Sequence, residues 1–446
     1  MDQIIITGGK PLRGEVRVSG AKNAALPLLA STILGGGECI VTNVPRVVDV
    51  ATMGKLLGLL GASVRSEGSR VAISAETLRA TEAPYELVKT MRASVLVLGP
   101  LIARWGEATV SLPGGCAIGT RPVNVHLAGL AKLGAELTIE HGYIRAKAKR
   151  LKGARIYLDT PTVTGTENLM MAACLAEGTT VIENAAREPE ITDLAAFLVK
   201  RGARIAGAGS DVVTVEGVPK LRAADHEVIP DRIEAGTYLA AGAITGGDVC
   251  VDGCIPGHLE SVIMKLRESG AEVIEGKESV RLKASRRLRG VDVKTLAYPG
   301  FPTDMQAQMM ALMCVAQGTS VITETVFESR FIHVPELRRM GADIRVEGNH
   351  AVVNGTEKMT GAPVMASDLR ASAGLILAGL AAEGDTELSR VYHLDRGYER
   401  IEDKLGGLGA VIRRVKGGTG GALTGRAVCS RSRGRRGSCL RPPWNC

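Results

Sequence analysis

The sequence predicts an α+β fold of two similar lobes, each made of three repeated units with buried helices inside and sheets outside, an inside-out α/β barrel. Three observations carry this. A small mark, "LLGAS", "KLGAE", "KRGAR", "ESGAE", "RMGAD" and "GLGAV", recurs at Gly61, Gly134, Gly202, Gly270, Gly341 and Gly409 with spacings of 68 to 73 residues. That period is too long for a solenoid, whose units run roughly 20 to 50 residues. Upstream of each mark lies a glycine-led run with alternating or β-branched residues, which reads as a strand. Ahead of each strand lies an apolar segment with scarcely a charge on any face, and a helix apolar all round must be buried.

In chain order, "AALPLLASTIL" precedes the strand "GECIVTNV", and "ASVLVLGPLIA" precedes "GEATVSLP". "ENLMMAACLA" leads to "GTTVIENA", and "EAGTYLAAGAI" to "GDVCVDGC". "MQAQMMALMCVA" leads to "GTSVITET", and "ASAGLILAGLAA" to "GDTELSRV". A more polar second helix completes each unit before its Gly-Ala mark. Two bundles of three are the natural closure, with the boundary at "HEVIPDRIEAG". Residues 22–229 then form an N-terminal lobe, and residues 1–21 plus 230–417 a C-terminal lobe to which the first strand returns. The cleft between two such lobes is where a small ligand is expected.

Charge and composition narrow the function. The net charge of +8 is concentrated in Gly418–Cys446, which holds six arginines and no acid. The body is nearly neutral, and residues 418–446 read as an anomalous, disordered basic tail. With 3% aromatic residues the body lacks stacking platforms for single strands, so nucleic acid is not an expected partner. The start "MDQIIITGGKPLRG" has no basic segment followed by an apolar one, and no run approaches 18 apolar residues. A cytoplasmic protein without a membrane partner is expected. Nine scattered cysteines fit reduced thiols. Cys39, Cys174, Cys250 and Cys314 fall in predicted strands or helices, as structural cysteines do.

Cys116 is different. The second unit runs 28 residues from Gly106 to Gly134, against 23 to 25 in the others, and the extra residues fall in "PGGCAIGTRP". A glycine-rich insertion on a repeated scaffold favours chemistry for its thiol over packing. Polar residues also open the buried helices: Lys22 and Asn23, Arg92, Thr164 and Glu167, Arg232, Asp304, and Asp368 with Arg370. Asp304 and Asp368 read first as N-caps. Lys22 and Arg92 oppose the helix dipole, which favours an anionic ligand over a structural role. Arg121, Arg330 and Arg396 add cations able to hold a small, multiply charged molecule. Cys250, Cys254 and His258 mimic a metal spacing but lack a fourth ligand nearby. The glycine runs lack a P-loop lysine or a nicotinamide fingerprint, so no metal and no cofactor is expected.

"SGAKNAALPLLA", "PGGCAIGTRPV", "GFPTDMQAQ", "ITETVFESRFIHVPEL" and "YHLDRGYERIEDKL" are specific motifs, and across residues 1 to about 417 the chain resembles the UDP-N-acetylglucosamine 1-carboxyvinyltransferases. These are enolpyruvyl transferases that open peptidoglycan synthesis, and the resemblance implies their two-lobed fold. It implies transfer of enolpyruvate from phosphoenolpyruvate to the 3-hydroxyl of UDP-N-acetylglucosamine through a tetrahedral intermediate, with release of phosphate. By motif, Lys22, Arg121 and Arg396 would hold the phosphate, with Asn23 beside them and Arg370 at the carboxylate end. Asp304 would take the proton of the attacking hydroxyl. Cys116 would protonate the methylene carbon, and can also attack phosphoenolpyruvate to give a covalent adduct. Asn23, Arg92, Arg121, Pro122, Val123, Asn124, Val125, His126, Thr162, Val163, Thr164, Gly165, Asp304 and Val326 would meet the UDP-sugar. Asn124 stands where many members carry Asp, and Thr160 begins a segment where some carry Lys. The tail after Lys416 has no counterpart in the family.

Overall fold

Apolar segments with no polar face have only one stable place, the interior, and the strands must then cover them. The computed structural model describes residues 2–112, 123–284 and 287–416. Six helices form the inside: α1 (Lys22–Ser31), α2 (Leu98–Trp105), α3 (Val163–Ala173), α4 (Arg232–Ile244), α5 (Gln306–Met313) and α6 (Leu369–Ala381). Around them, among the described residues, stand six four-stranded sheets. Buried side chains form two clusters, one from Ala21 to Val228, the other from Ile4 to Val18 joined with Ile233 to Leu408. The molecule therefore has two similar lobes of three units, each lobe with its own core.

Every unit repeats one path. In the second, Glu82–Ala83 leads through α2 to the parallel strand Glu107–Ser111, and the hairpin Glu136–Glu140 with Tyr143–Lys147 follows a second helix, Asn124–Lys132. The Gly-Ala marks end these second helices. Their glycines hold φ between 89° and 108°, a left-handed conformation that a Cβ penalises, and the chain reverses there into the hairpin. Buried helices pack closely because small residues let them. A Cβ on Gly99 of α2 would fall 2.4 Å from the Asn168 carbonyl oxygen of α3.

The N-terminus belongs to the second core. Gln3–Thr7 buries Ile4 and Ile6 between less buried residues and pairs antiparallel with both Asp385–Ser389 and Val411–Val415. Arg13–Arg17 lies parallel to Asp248–Asp252. The chain thus crosses between lobes twice, at Gly20 and Pro230, which form a bridge beside each other. Ala21 N donates to Ile229 O at 2.7 Å and Asp231 N to Ser19 O at 2.9 Å, so the two crossings are hydrogen-bonded to each other. The expected placement of cysteines holds for Cys39 and Cys250, which lie in strands. Cys174 and Cys314 stand one residue past α3 and α5, at their C-caps, and burial pushes both thiols up to about 12.

Candidate active site

The first turns of the buried helices face the junction of the lobes, and charged groups gather there around two carboxylates. Lys22, the first residue of α1, reaches Asp49 at 2.9 Å, and Arg396 of the other lobe reaches the second oxygen of Asp49 at 2.9 Å. Asp49 opens the helix Val48–Leu60 on the stripe that buries Met53, Leu56, Leu57 and Leu60. Burial alone would raise its pKa, but Lys22 and then Arg396 outweigh this and hold the carboxyl below its ordinary 3.8.

The second carboxylate is Asp304. Its expected role as an N-cap does not survive: it lies within a short 3₁₀ turn, Thr303–Met305, with Pro302 at the N-cap position, and side chains donate to its oxygens. Arg330 donates to it at 2.8 Å and Arg370 at 3.2 Å, and Asn23 of the other lobe approaches at 3.5 Å. Asp368 is the N-cap of α6, accepting from the backbone of Arg370 and Ala371. Burial opposes the charge of Arg370, yet Tyr398 and Asp304 overcome it and raise its pKa above the ordinary value. Val326 lies beside this group: its N–H donates to Glu324, which accepts from Thr303, whose hydroxyl in turn accepts from Arg330.

In the N-terminal lobe a neutral hydrogen-bond chain leads to the start of α3. Gly99 N–H donates to Asn168 Oδ1 at 2.6 Å, and Asn168 Nδ2 reaches His126 Nδ1 at 3.0 Å. The amide can only donate there, so the ring proton sits on Nε2, which faces Thr164 Oγ1 at 3.3 Å. Burial, aided by the nearby charge of Arg92, lowers the His126 pKa to about 4 and keeps the ring neutral. Thr162 caps α3 by accepting from Gly165 N, which leaves Val163 and Thr164 in the first turn. Arg92 begins the 3₁₀ turn before α2. Val123 is buried, while Asn124 is exposed at the head of its helix. Cys116, Arg121 and Pro122 lie outside the described residues, in the segment that joins the strand Glu107–Ser111 to that helix.

The model of the EPSP synthase (3-phosphoshikimate 1-carboxyvinyltransferase) family matches residues 6–405. A UDP-N-acetylglucosamine 1-carboxyvinyltransferase of Anaeromyxobacter sp. is 62% identical over 93% of this chain and all of its own length. One of Geobacter metallireducens is 61% identical over the same shares. The chain belongs to the UDP-N-acetylglucosamine 1-carboxyvinyltransferase family. Among solved structures, the enolpyruvyl transferase NikO from Streptomyces tendae superposes with a TM-score of 0.83 at 27% identity, covering 93% of this chain and 98% of its own.

In this member of the 1-carboxyvinyltransferases the structure brings together Lys22, Asn23, Asp304, Arg370 and Arg396 at the lobe junction, and separately Arg92, His126 and Thr164. Sequence reasoning missed Asp49, which joins Lys22 to Arg396. The signal was present: an acid in "VVDV" at helical spacing from Met53, Leu56 and Leu60, hence on an apolar face. It also missed two acids opening the helix Pro189–Lys200. The buried Glu190 binds Arg232 through both oxygens, at 3.1 and 3.4 Å, and Glu188 accepts from Tyr298 N at 3.4 Å. Glu167 lies in α3, where burial, reinforced by Glu190 and Glu188, raises its carboxyl well above the ordinary 4.5.

Proposed function

We propose that this chain transfers the enolpyruvyl group of phosphoenolpyruvate to the 3-hydroxyl of UDP-N-acetylglucosamine with release of phosphate, the committed step into peptidoglycan. The observation that carries this is the pair of carboxylates at the lobe junction, Asp49 and Asp304, each flanked by cations from α1, α6 and the loops. Such an array suits an anionic substrate held between two lobes, with a carboxylate left to accept a proton.

In this reading Lys22, Arg121 and Arg396 neutralise the phosphate, and Arg370, with Asn23 nearby, orients the carboxylate of phosphoenolpyruvate. Arg92, Asn124, His126, Thr164 and Val326 line the UDP-sugar side, with Pro122, Val123, Val125, Thr162, Val163 and Gly165 shaping it. Asp304 takes the proton of the 3-hydroxyl as its oxygen bonds to C2, and Cys116 gives a proton to C3, which closes the tetrahedral adduct. Loss of a proton from C3 and cleavage of the C2–O bond to phosphate then restore the double bond. A competing attack of the Cys116 thiolate on C2, with protonation of C3, gives a covalent adduct of the enzyme. The lobes are taken as residues 22–229 and 1–21 plus 230–417. Because both substrates are small soluble phosphates, the cytoplasm is the compartment for the reaction.

The test is phosphate release from phosphoenolpyruvate with UDP-N-acetylglucosamine, run beside shikimate 3-phosphate and a Cys116→Ala variant. Release only with the nucleotide sugar, and its loss in the variant, is the expected result. Release with shikimate 3-phosphate alone would overturn the acceptor, and full activity in Cys116→Ala would overturn the acid.

A further inference from the structure

We propose that the N-terminal lobe carries a second ligand site, for a nucleoside polyphosphate, at the C-terminal ends of α1, α2 and α3. A cavity of about 1440 Å³ opens there, bordered by Leu34, Trp105 and Leu175, the residues that follow or end those helices. It is not the site at the lobe junction. Lys22 and Leu34 stand at opposite ends of α1 and its 3₁₀ extension, roughly 20 Å apart at 1.5 to 2 Å per residue.

The floor is positively charged by construction. Arg201 is fully buried and donates to the carbonyls of Ser31, Thr32 and Arg222, and Arg104 donates to those of Ile33, Gly35 and Ala75. These contacts satisfy the open end of α1, and its helix dipole offsets only part of two full charges. Neither guanidinium has a carboxylate within 4 Å among the described residues, although Glu76 acts on Arg104 from farther off, and burial lowers both pKa values from 12.5. The rim adds to the charge. Glu107 and Glu136 both stand opposite Lys147 in the sheet, so these acids already face a cation. Lys149, Arg150 and Lys220, all exposed, have no carboxylate within 4 Å among the described residues.

A cavity with this surplus attracts an anion of several charges, because low-dielectric walls focus the field of the cations. The apolar part selects what the anion is attached to. Trp105 is half-buried with the Arg104 guanidinium 4.4 Å from its ring centre, and the half-buried Leu175 lines the cavity with it, Leu34 and Leu221 being buried. A flat ring can lie on such a surface while its phosphates reach the lysines, which is the composition of a nucleotide.

The test uses the full chain with saturating UDP-N-acetylglucosamine, so that the lobe junction is filled, and titrates ATP by calorimetry. Tryptophan emission is read in a Trp444→Phe background, where Trp105 is the remaining indole. One ATP should bind and change the Trp105 emission. Lys149→Glu with Lys220→Glu should weaken ATP on the order of tenfold or more while leaving phosphate release unchanged. Absence of ATP binding, or binding indifferent to the double charge reversal, would overturn the site. Tripolyphosphate binding as tightly as ATP would overturn the nucleoside part.

Discussion

Asp49 of the N-terminal lobe receives Arg396 of the C-terminal lobe at 2.9 Å while its other oxygen holds Lys22. One carboxylate thus ties the α1 cation to a cation of the other lobe. If Asp49 sets the spacing of Lys22 and Arg396, Asp49→Asn should lower kcat/KM for phosphoenolpyruvate by roughly 10- to 100-fold, the loss expected for a hydrogen bond to a charged group. Steady-state kinetics check this, and an unchanged kcat/KM would remove the role. The depressed pKa has a sign: the stability it supplies is complete above pH 3.8 and is lost as pH falls through the lower folded value. Urea unfolding of the wild type should show that decline, and Asp49→Asn should lack it.

Arg232, its side chain only 10% exposed, has both oxygens of the buried Glu190 as its carboxylate partner. Removing one member of such a pair strands the other charge in the interior, so Glu190→Gln should destabilise the chain by about 3 to 5 kcal/mol. Urea unfolding measures it directly. A loss below about 1 kcal/mol would mean that Arg232 finds other compensation.

His126 should remain neutral through the physiological range. Its folded pKa of about 4 lies below the ordinary 6.5, so the unfolded chain binds more protons between those values. Stability from this group is therefore complete above pH 6.5 and is lost as pH falls toward 4. The imidazole resonance in an NMR titration should show no inflection above pH 5. An inflection near 6.5 would break the assignment of Nδ1 as the acceptor from Asn168.

Glu167 has the opposite sign. Its carboxyl holds its proton to higher pH in the fold than in the unfolded chain, so stability is lost as pH rises from 4.5 toward the raised folded value. Glu167→Gln, which cannot ionise, should gain stability relative to the wild type between pH 5 and 8. Melting temperatures across that range decide it, and parallel curves would show that Glu167 is already charged in the fold.

The elements, the six-unit repeat and the places of the polar helix starts were legible along the chain, because these are local. An apolar segment such as "LMMAAC", a strand led by glycine, and a Gly-Ala stop at Gly202 each express preferences of a few neighbouring residues, and burial then sorts helices inward. Lys22, Asn23 and Arg370 were visible as polar residues opening apolar helices, and Arg396 as a cation of a later loop. Asp304 was visible too, but as a cap, since the chain nearby does not reveal Arg330 and Arg370 closing on it. Asp49 and Glu190 were hidden. Asp49 pairs with Arg396 across 347 residues, and Asn23 meets Asp304 across 281, separations over which no periodicity carries information. Only the docking of the two lobes decided those pairings. A buried charge must find a partner wherever the packed chain brings one within reach, and that partner is a property of the assembled interior rather than of any segment.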